Sequence, residues 1–433
     1  MSEVDTTPPP SPPKARRIAL VGIPVLVLMA VLWLGLTAGP PPMDGYGREL
    51  FGLWRTRHVA VALALGWSAL GLLCAAFGPR ARRRFLVAST SFIACWLLLE
   101  VAGLIGLVSY PVLLGGGIAE QFGTHRRPGL DVRGTTHEDL AILWNLPRPP
   151  VEFRFQTDRH GFRNTPDRES ADVYCLGDSF LVAGLVPQPE FLPAQLEQTL
   201  HRSVMGVALI GLSPQAERQL LLDAKLPLER RLVLHFLFEG NDLLDSAAWR
   251  SGKSNEALPW KERTLLSQLL VHAQLITQPQ PAFVERRTGY IGGEAYRFSW
   301  LRSSFEGLES ELTPIADTLR TLRDEIRAAG GEYAIVLIPN KIRVLGPYCS
   351  YPADSEVADW QSHCSPLPAF ASAWGAREGV AVLDLTEALR TSCQQGQVPW
   401  YPADTHWNAI GHRVAAAAIA RWPVVVEWTH LVR

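Results

Sequence analysis

The sequence predicts an α/β fold with a mainly parallel five-stranded sheet, preceded by a membrane region. Two observations predict this. Long uncharged runs are confined to the first 115 residues or so, and beyond them short apolar runs alternate with segments of helical apolar spacing. In addition, Gly-, Asp- and Asn-containing turns follow several of the short runs, which is where α/β proteins place their ligands.

Length and composition limit the class of protein. The 433 residues allow two or three domains at about 100 to 200 residues each. Lys plus Arg number 41 and Asp plus Glu number 42, so no net field attracts polyanions, and we expect no nucleic-acid partner. Six cysteines without a C-x-x-C pair exclude a disulfide scaffold and a thioredoxin-type motif. The fold must therefore depend on an ordinary apolar core.

Three apolar segments in residues 18–115 predict transmembrane helices at about 18–38, 59–78 and 86–108. The first runs for 21 residues without a charged side chain, which suffices to cross about 30 Å of hydrocarbon. The alternative for this segment is a cleaved signal peptide. No A-x-A-like site follows it and two more apolar segments come after it, so we expect an uncleaved anchor.

The basic residues predict the orientation of these spans. Residues 1–17, with five prolines, predict a disordered cytoplasmic tail. Basic residues precede the first span and crowd the link between the second and third, and such loops face the cytoplasm: Lys14, Arg16, Arg17, Arg80, Arg82, Arg83 and Arg84. Three crossings then place residues 116–433 outside the cytoplasm.

Within residues 116–433 the apolar runs predict the elements of the sheet. The predicted strands are 173–176, 204–210, 232–238, 333–338 and 380–385. The predicted helices between and after them are 191–201, 215–226, 315–329 and 409–420. Residues of about 249–299 do not fit the alternation and predict an insertion.

Four segments that follow predicted strands carry the residue types of a catalytic site. They are GDSF at 177–180, GLSPQ at 211–215, EGND at 239–242 and DTHW at 404–407. Each alone is also typical of a simple turn into a helix. Their joint presence at one edge of a parallel sheet is far more specific, because the carboxyl ends of parallel strands lie together.

These four segments resemble the SGNH, or GDSL-type, serine hydrolase family. The segment DRHGFRN at 158–164 is similar to that of membrane-anchored bacterial members, and D-x-H at 404–406 is similar to the alginate O-acetylation proteins. The resemblance implies an SGNH-hydrolase-like, flavodoxin-like three-layer fold in the bacterial inner membrane, with its catalytic domain in the periplasm or extracytoplasmic space. It also implies a catalytic triad of Ser179, His406 and Asp404 and an oxyanion hole of Ser179, Gly211 and Asn241, with no cofactor and no metal.

The chemistry of these residue types agrees with that assignment. A serine hydroxyl becomes a good nucleophile when an imidazole accepts its proton, and a carboxylate fixes the tautomer of that imidazole. Backbone N–H groups of Ser179 and Gly211 and the amide of Asn241 suit the stabilisation of an oxyanion. In contrast to the usual family pattern, Gly240 directly precedes Asn241.

Other polar residues have alternative explanations. A metal site would gather Asp178, Asp242, Asp404 and His406, but the set lacks a second histidine at ligand spacing. His235 lies within a predicted strand and is expected to be a packed core residue, whereas His412 is expected to be exposed or to support its helix. Cysteines at 349, 364 and 393 offer alternative disulfide pairings that the spacing leaves open.

The sequence therefore predicts a membrane-anchored extracytoplasmic serine esterase that acts on acyl esters through an acyl-serine intermediate. Its expected partners are the lipid bilayer and an acyl-ester substrate, most plainly O-acetyl groups of cell-envelope or exported carbohydrate. One alternative is an O-acetyltransferase that uses a separate acyl-donor membrane protein. The other is a catalytically inactive carbohydrate-binding or assembly scaffold that has kept the fold.

Overall fold

The structure, a computed structural model, describes residues 14–37, 49–50, 54–76, 79–105, 107–108, 110, 126–144, 146, 148–251, 264–272, 281–301, 303 and 306–431. It divides into two compact units: Met1–Leu114 with Leu258–Gln278, and Gly115–Ala257 with Pro279–Arg433. Residues 1–13 of the predicted tail, and 252–263 and 273–280 of the predicted insertion, lie outside the described residues.

The first unit contains the helices predicted to cross the membrane. They are α1 (Lys14–Thr37), α2 (Thr56–Ala76) and α3 (Pro79–Leu104). Among the described residues α3 is the helix long and apolar enough to span a bilayer, and the apolar parts of α1 and α2 are shorter. Three crossings therefore stay a prediction. The prediction of disorder is wrong for residues 14–17, because Lys and Arg are good helix formers and extend α1.

Part of the predicted insertion belongs to this first unit as the helix Leu265–His272. The backbone N–H of Leu266 donates to Oε1 of Glu100 on α3 at 2.8 Å. A carboxylate on an otherwise apolar helix face thus has a hydrogen-bond donor, which lowers the free-energy cost of keeping it there.

A five-stranded parallel sheet organises the second unit. Two antiparallel strands come first, β1 (Asp131–Thr136) and β2 (Val151–Gln156). The strands of the sheet are β3 (Val173–Gly177), β4 (Val204–Ala208), β5 (Leu232–Phe238), β8 (Glu332–Ile338) and β9 (Val382–Asp384). Between β5 and β8 the chain forms a separate hairpin of β6 (Thr288–Ile291) and β7 (Glu294–Arg297). The strand order in the sheet is β9-β8-β5-β3-β4. This is the flavodoxin-like order, so the predicted α/β fold and parallel sheet are confirmed.

Helices cover both faces of this sheet. Val173 and Cys175 of β3 face one core and Tyr174 and Leu176 face the other, and all four side chains are fully buried. This alternation shows that both pleat faces are covered, as a strand inside a three-layer fold requires.

The helices of the second unit divide between these two cores. One face packs against helices Leu192–Leu200, Thr386–Gln394, Ala409–Ala420 and Pro423–Leu431. The other packs against helices Pro214–Ala224, Leu312–Ala328 and Leu367–Glu378. The four helices predicted from the sequence are present with ends that differ by a few residues.

His235 and His412, for which the sequence offered explanations other than catalysis, are both buried. His235 is a packed core residue, as predicted: its ring bonds the Glu217 carboxyl at 2.6 Å and the Tyr333 hydroxyl at 2.7 Å. Burial lowers the pKa of His235 to about 3, so this ring is neutral. The expectation that His412 is exposed is wrong. Its helix is rich in alanine and shows no polar stripe that would reveal which side faces the core.

The cysteine pairings stay open. Cys349, Cys364 and Cys393 are free thiols in the structure. Burial raises the pKa of each of these thiols, to about 12 for Cys349 and about 11 for the other two. All three are therefore protonated near neutral pH and are poor nucleophiles.

Substitution of Gly375, in helix Leu367–Glu378, tests how closely that helix packs on β9. A Cβ at this position would lie 2.7 Å from the carbonyl oxygen of Val380 and closer still to the side chain of Val382. We expect Gly375→Ala to lower the free energy of unfolding by about 1 to 2 kcal/mol, since the clash outweighs the gain in helix propensity. Denaturant unfolding followed by tryptophan fluorescence measures this.

The matched control is Ser372→Ala on the exposed side of the same helix, which should change the stability by less than about 0.5 kcal/mol. Equal effects of the two substitutions would contradict this account of the packing.

Candidate active site

The serine predicted as nucleophile stands at the carboxyl end of β3. Ser179 begins the short helix Ser179–Val182, and the Asp178 side chain caps this helix by accepting from the N–H of Phe180. The Ser179 hydroxyl lies 2.9 Å from Nε2 of His406 and 3.4 Å from Oδ2 of Asp178. The shorter distance makes the imidazole the better acceptor for the serine proton.

His406 joins Ser179 to Asp404. Nδ1 of His406 lies 2.8 Å from Oδ1 of Asp404, and the same oxygen accepts the backbone N–H of His406 at 2.8 Å. With the ring proton on Nδ1, Nε2 is free to accept from Ser179. The ring of Phe180 packs on the imidazole with centroids 5.0 Å apart, which limits its rotation. The structure thus brings the three predicted triad residues into one hydrogen-bond chain.

The predicted oxyanion-hole residues lie beside Ser179 on the same cavity wall. Gly211 has φ +72°, a left-handed conformation that glycine adopts without strain. Within the described part of the structure, no acceptor bonds the backbone N–H of Ser179 or of Gly211. Both groups are therefore free to donate to a ligand.

Asn241 lies next to Ser179, but its amide is engaged. Nδ2 donates to Oδ2 of Asp245 at 2.8 Å and to Oδ2 of Asp178 at 3.3 Å. Oδ1 is buried with no partner among the described residues. The structure therefore brings Asn241 to the site, while the amide group points at two carboxyl groups.

The glycine directly before Asn241 has a steric cause. A Cβ at Gly240 would overlap the Phe238 ring and would lie 3.1 Å from Trp300. Trp300 itself has φ +54°, an uncommon conformation for a residue with a side chain, and its carbonyl accepts from Asn340 at 2.6 Å. A side chain at position 240 would therefore collide with the ring of Phe238 and crowd Trp300.

A cavity of about 270 Å³ opens above Ser179 and His406. Its walls are mostly apolar, with Ile142, Leu185, Val186, Ile210 and Trp300 among the lining residues. A largely apolar cavity with a few convergent polar groups is typical of a small-molecule site.

The sequence interpretation missed a segment that completes this cavity, residues 137–144. Oδ2 of Asp139 lies 3.6 Å from Nδ1 of His406. The backbone N–H of Asp139 donates to Asp404 Oδ2 at 2.7 Å, and the N–H of Thr405 donates to Asp139 Oδ1 at 2.8 Å. Glu138 accepts from the N–H of Ala403. The segment forms the helix Asp139–Trp144, and at six residues this helix is too short for its apolar spacing to be recognised in the sequence.

Two buried cations hold the loops that carry the triad. The Lys341 ammonium donates to the carbonyls of Tyr401, Pro402 and Asp404 at 2.8, 2.9 and 3.0 Å, which satisfies its three N–H donors. Burial lowers the pKa of Lys341 to about 8, against the attraction of nearby carboxylates, so it remains charged at neutral pH.

Arg163 does the same for the loop after Ser179. Its guanidinium donates to the carbonyls of Val182, Ala183 and Val186 and to the side chain of Gln188. Arg163 belongs to the DRHGFRN segment. In the same segment the Asn164 amide donates to the carbonyl of Gly206 on β4 and accepts the backbone N–H of Gly206. The segment therefore ties the loop that follows Ser179 to the sheet.

The carboxylates around His406 set its proton affinity. Burial lowers the pKa of His406, but the hydrogen bond and charge of Asp404, with the charges of Asp139 and Asp178, outweigh burial and raise it to about 9. Burial and the charge of Asp404 raise the pKa of Asp139 to about 7. Burial and the charge of Asp178 likewise raise the pKa of Asp245 to about 7.

The metal alternative gathers a different set of residues from the one considered. In the described part of the chain, Asp139, Asp404 and His406 offer ligand atoms within 4.8 Å of one another, and Asp178 and Asp242 do not join them. Nδ1 of His406 already bonds Asp404. A ring nitrogen that donates a proton has no lone pair for a metal, so this arrangement suits a hydrogen-bonded pair.

The sheet topology and the Ser–His–Asp chain define an α/β protein of the kind found among serine hydrolases. Residues 300–423 match the family described as "SGNH hydrolase-like domain, acetyltransferase AlgX". The recognition made from the motifs is confirmed, because the family that matches is of the SGNH type. The match also supports an enzyme that acts on acyl esters.

Three solved structures show weak similarity. One is a protein described as lipolytic, of the G-D-S-L family, from Desulfitobacterium hafniense (12% identity, TM-score 0.31, 57% of this chain and 97% of that one). Another is the Bacillus subtilis protein YxiM (14%, 0.30, 57% and 55%). The third is a carbohydrate esterase family 2 enzyme with a carbohydrate-binding domain from Corynascus thermopiles (13%, 0.31, 66% and 74%). At these TM-scores the similarities carry no argument. A search of curated proteins gives no significant match.

Removal of the Lys341 ammonium should loosen the loop that carries His406. We expect Lys341→Met to lower kcat/KM for an aryl acetate by about ten- to a hundredfold, because a misplaced catalytic group loses its alignment. Three carbonyls lose their donor, and the free energy of unfolding should fall by about 1 to 3 kcal/mol. Enzyme kinetics and denaturant unfolding measure the two effects.

Lys225→Met serves as the control, because Lys225 is exposed. Full activity in Lys341→Met would show that the three carbonyl bonds do not hold the catalytic loop.

Proposed function

We propose that this protein is a serine esterase that acts on O-acyl esters, in particular O-acetyl esters of cell-envelope or exported carbohydrate, through an acyl-serine intermediate. One observation carries the proposal: Ser179 Oγ lies 2.9 Å from His406 Nε2, whose Nδ1 lies 2.8 Å from Asp404. This is the arrangement that turns a hydroxyl into a nucleophile.

In the proposed reaction Ser179 Oγ attacks the carbonyl carbon of the ester while its proton moves to Nε2 of His406. The negative oxygen of the tetrahedral intermediate accepts hydrogen bonds from the backbone N–H groups of Ser179 and Gly211. The C–O bond of the ester then breaks, and His406 returns the proton to the leaving alcohol. A second hydroxyl, from water, attacks the acyl-serine by the same steps and releases the acid.

Asp404 keeps the imidazole in the reactive tautomer and stabilises its charged form. Asn241 joins the oxyanion hole in this proposal when its amide turns from Asp245 toward the cavity. A protonated Asp245 favours that turn, because its O–H can donate to Asn241 Oδ1.

Acyl transfer to a sugar hydroxyl is the second candidate function. The description of the matching family as an acetyltransferase favours it. The same acyl-serine would pass its acyl group to a carbohydrate instead of to water, and a separate membrane protein would supply the donor. The mostly apolar cavity walls support this candidate, since a site that excludes water protects an acyl-enzyme from hydrolysis.

The geometry of the site also argues against an inactive scaffold. An inactive scaffold does not require Ser179 and His406, 227 positions apart along the chain, to lie within hydrogen-bond distance of each other with Asp404 bonded to the same imidazole.

Loss of the Ser179 hydroxyl should abolish the activity. We expect the full-length protein to react with a fluorophosphonate probe and to hydrolyse p-nitrophenyl acetate, and Ser179→Ala to lower kcat/KM roughly a thousandfold or more. Ser372→Ala, at an exposed position distant in sequence, is the matched control. Mass spectrometry of an acetyl donor with and without an oligosaccharide then separates transfer from hydrolysis. A wild-type protein inert to both reagents would favour the scaffold.

We also propose that three transmembrane helices anchor the protein in the bacterial inner membrane, with the catalytic domain outside the cytoplasm. The uncharged runs and the seven basic residues at their cytoplasmic flanks support this. In intact cells, an impermeant maleimide should label a cysteine placed at Ser362 and should not label one placed at Arg82. The reverse pattern would overturn the orientation.

A further inference from the structure

A second carboxylate stands at the imidazole of His406. Asp404 Oδ1 lies 2.8 Å from Nδ1, and Asp139 Oδ2 lies 3.6 Å from the same nitrogen. The two acids come from segments 265 residues apart. A Ser–His–Asp triad requires one carboxylate at this nitrogen, so the second requires its own explanation.

Backbone groups fix the orientation of the Asp139 carboxyl. Oδ1 accepts the N–H of Thr405 at 2.8 Å and that of Leu140 at 2.6 Å. The N–H of Asp139 donates in turn to Oδ2 of Asp404 at 2.7 Å. With Oδ1 held by two donors, Oδ2 is the oxygen presented to His406, and the side chain keeps about a quarter of its surface, 28%, accessible.

We propose that Asp139 is a positioning residue that shares the protonated imidazole of His406 with Asp404 and so sets the pH at which the catalytic base becomes free. Two negative charges near one ring stabilise its positive form, because an opposite charge within about 4 to 6 Å favours the charged state. Base catalysis requires the neutral ring, and Asp139 therefore moves activity toward alkaline pH.

The ionisation of Asp139 agrees with this role. Burial and the charge of Asp404 raise the pKa of Asp139 to about 7, and His406 titrates higher, at about 9. Asp139 is thus negative in the range where His406 gives up its proton. Loss of the Asp139 charge must then lower the pKa of His406.

Other ionisable groups lie around Asp139 and His406 and come from separate elements. They are Asp178 after β3, Glu138, Lys341 after β8, Asp404 and His412. Asp404 and Asp178 act on His406 in the same direction as Asp139, while Lys341 attracts the carboxylates from the far side of the loop. These groups are unchanged when Asp139 alone is substituted, so a difference measurement isolates its contribution.

Glu138 provides a control for a purely structural role. It lies next to Asp139, accepts from the backbone N–H of Ala403 and from Arg148, and so ties the same segment to the catalytic loop. The charges with the largest effect on the pKa of His406 are those of Asp404, Asp139 and Asp178. Glu138→Gln should therefore disturb the docking of the segment without changing the titration of the ring.

The test is an NMR titration of His406 in the full-length protein with isotope-labelled histidine, with the signal assigned by His406→Asn. The variants are Asp139→Asn, which keeps the shape of the side chain, and Glu138→Gln. We expect the pKa of His406 to fall by about one unit or more in Asp139→Asn and to stay at the wild-type value in Glu138→Gln. If Asp139→Asn fails to fold, Asp139→Ser replaces it.

A kinetic arm rests on the proposed esterase function: the acidic limb of kcat/KM for p-nitrophenyl acetate should move to lower pH in Asp139→Asn. Absence of esterase activity in the wild type would reject the proposed function and leave the titration interpretable. An unchanged or raised His406 pKa in Asp139→Asn, or equal shifts in both variants, would overturn the role of Asp139.

Discussion

The contact between Ser179 Oγ and His406 Nε2 is the constraint on which the rest of the second unit depends. It joins two loops 227 residues apart along the chain, at a distance of 2.9 Å. The parallel sheet makes this possible, because its strand order places the carboxyl ends of β3, β4 and β5 side by side. Ser179, Gly211 and Asn241 follow these three strands, at the switch point where such sheets bind ligands.

Elements outside the sheet then hold the loops within hydrogen-bonding distance. On the serine side, buried Arg163 donates to three loop carbonyls and to the side chain of Gln188. On the histidine side, buried Lys341 gives all three of its N–H donors to loop carbonyls. Burying a charge is costly unless every donor finds an acceptor. These cations consequently allow few alternative loop conformations, which is what a preorganised site requires.

The sequence predicted those parts of the fold and site that show a recognisable pattern in a short stretch of the chain. Buried strands showed as short apolar runs, and Ser179, Asn241 and His406 followed such runs or stood in recognisable motifs. Asp139 had no such pattern. It reaches His406 through a segment that precedes the sheet, and this segment docks partly by backbone hydrogen bonds from the N–H groups of Leu140 and Ala141 to the carbonyl of Ala403, which any residue type except proline can make. Long-range docking of this kind leaves no periodicity in the sequence.

The sequence also did not predict which way the polar side chains at the site point. The motif placed Asn241 beside the nucleophile, but its amide bonds Asp245 and Asp178, and the carboxyl groups that compete for it come from two different elements. His412 lies on an alanine-rich helix whose composition gives no preferred exposed face, so its burial depended on how that helix packs against Trp407.

The central claim is that Ser179 becomes acylated because His406 accepts its proton. Rapid acid quenching of the full-length protein with p-nitrophenyl acetate, followed by peptide mapping, measures this directly. We expect an acetyl group on the peptide that contains Ser179, and we expect that group to be absent in His406→Ala. Acetylation elsewhere with Ser179 unmodified, or undiminished acetylation of Ser179 without His406, would contradict it.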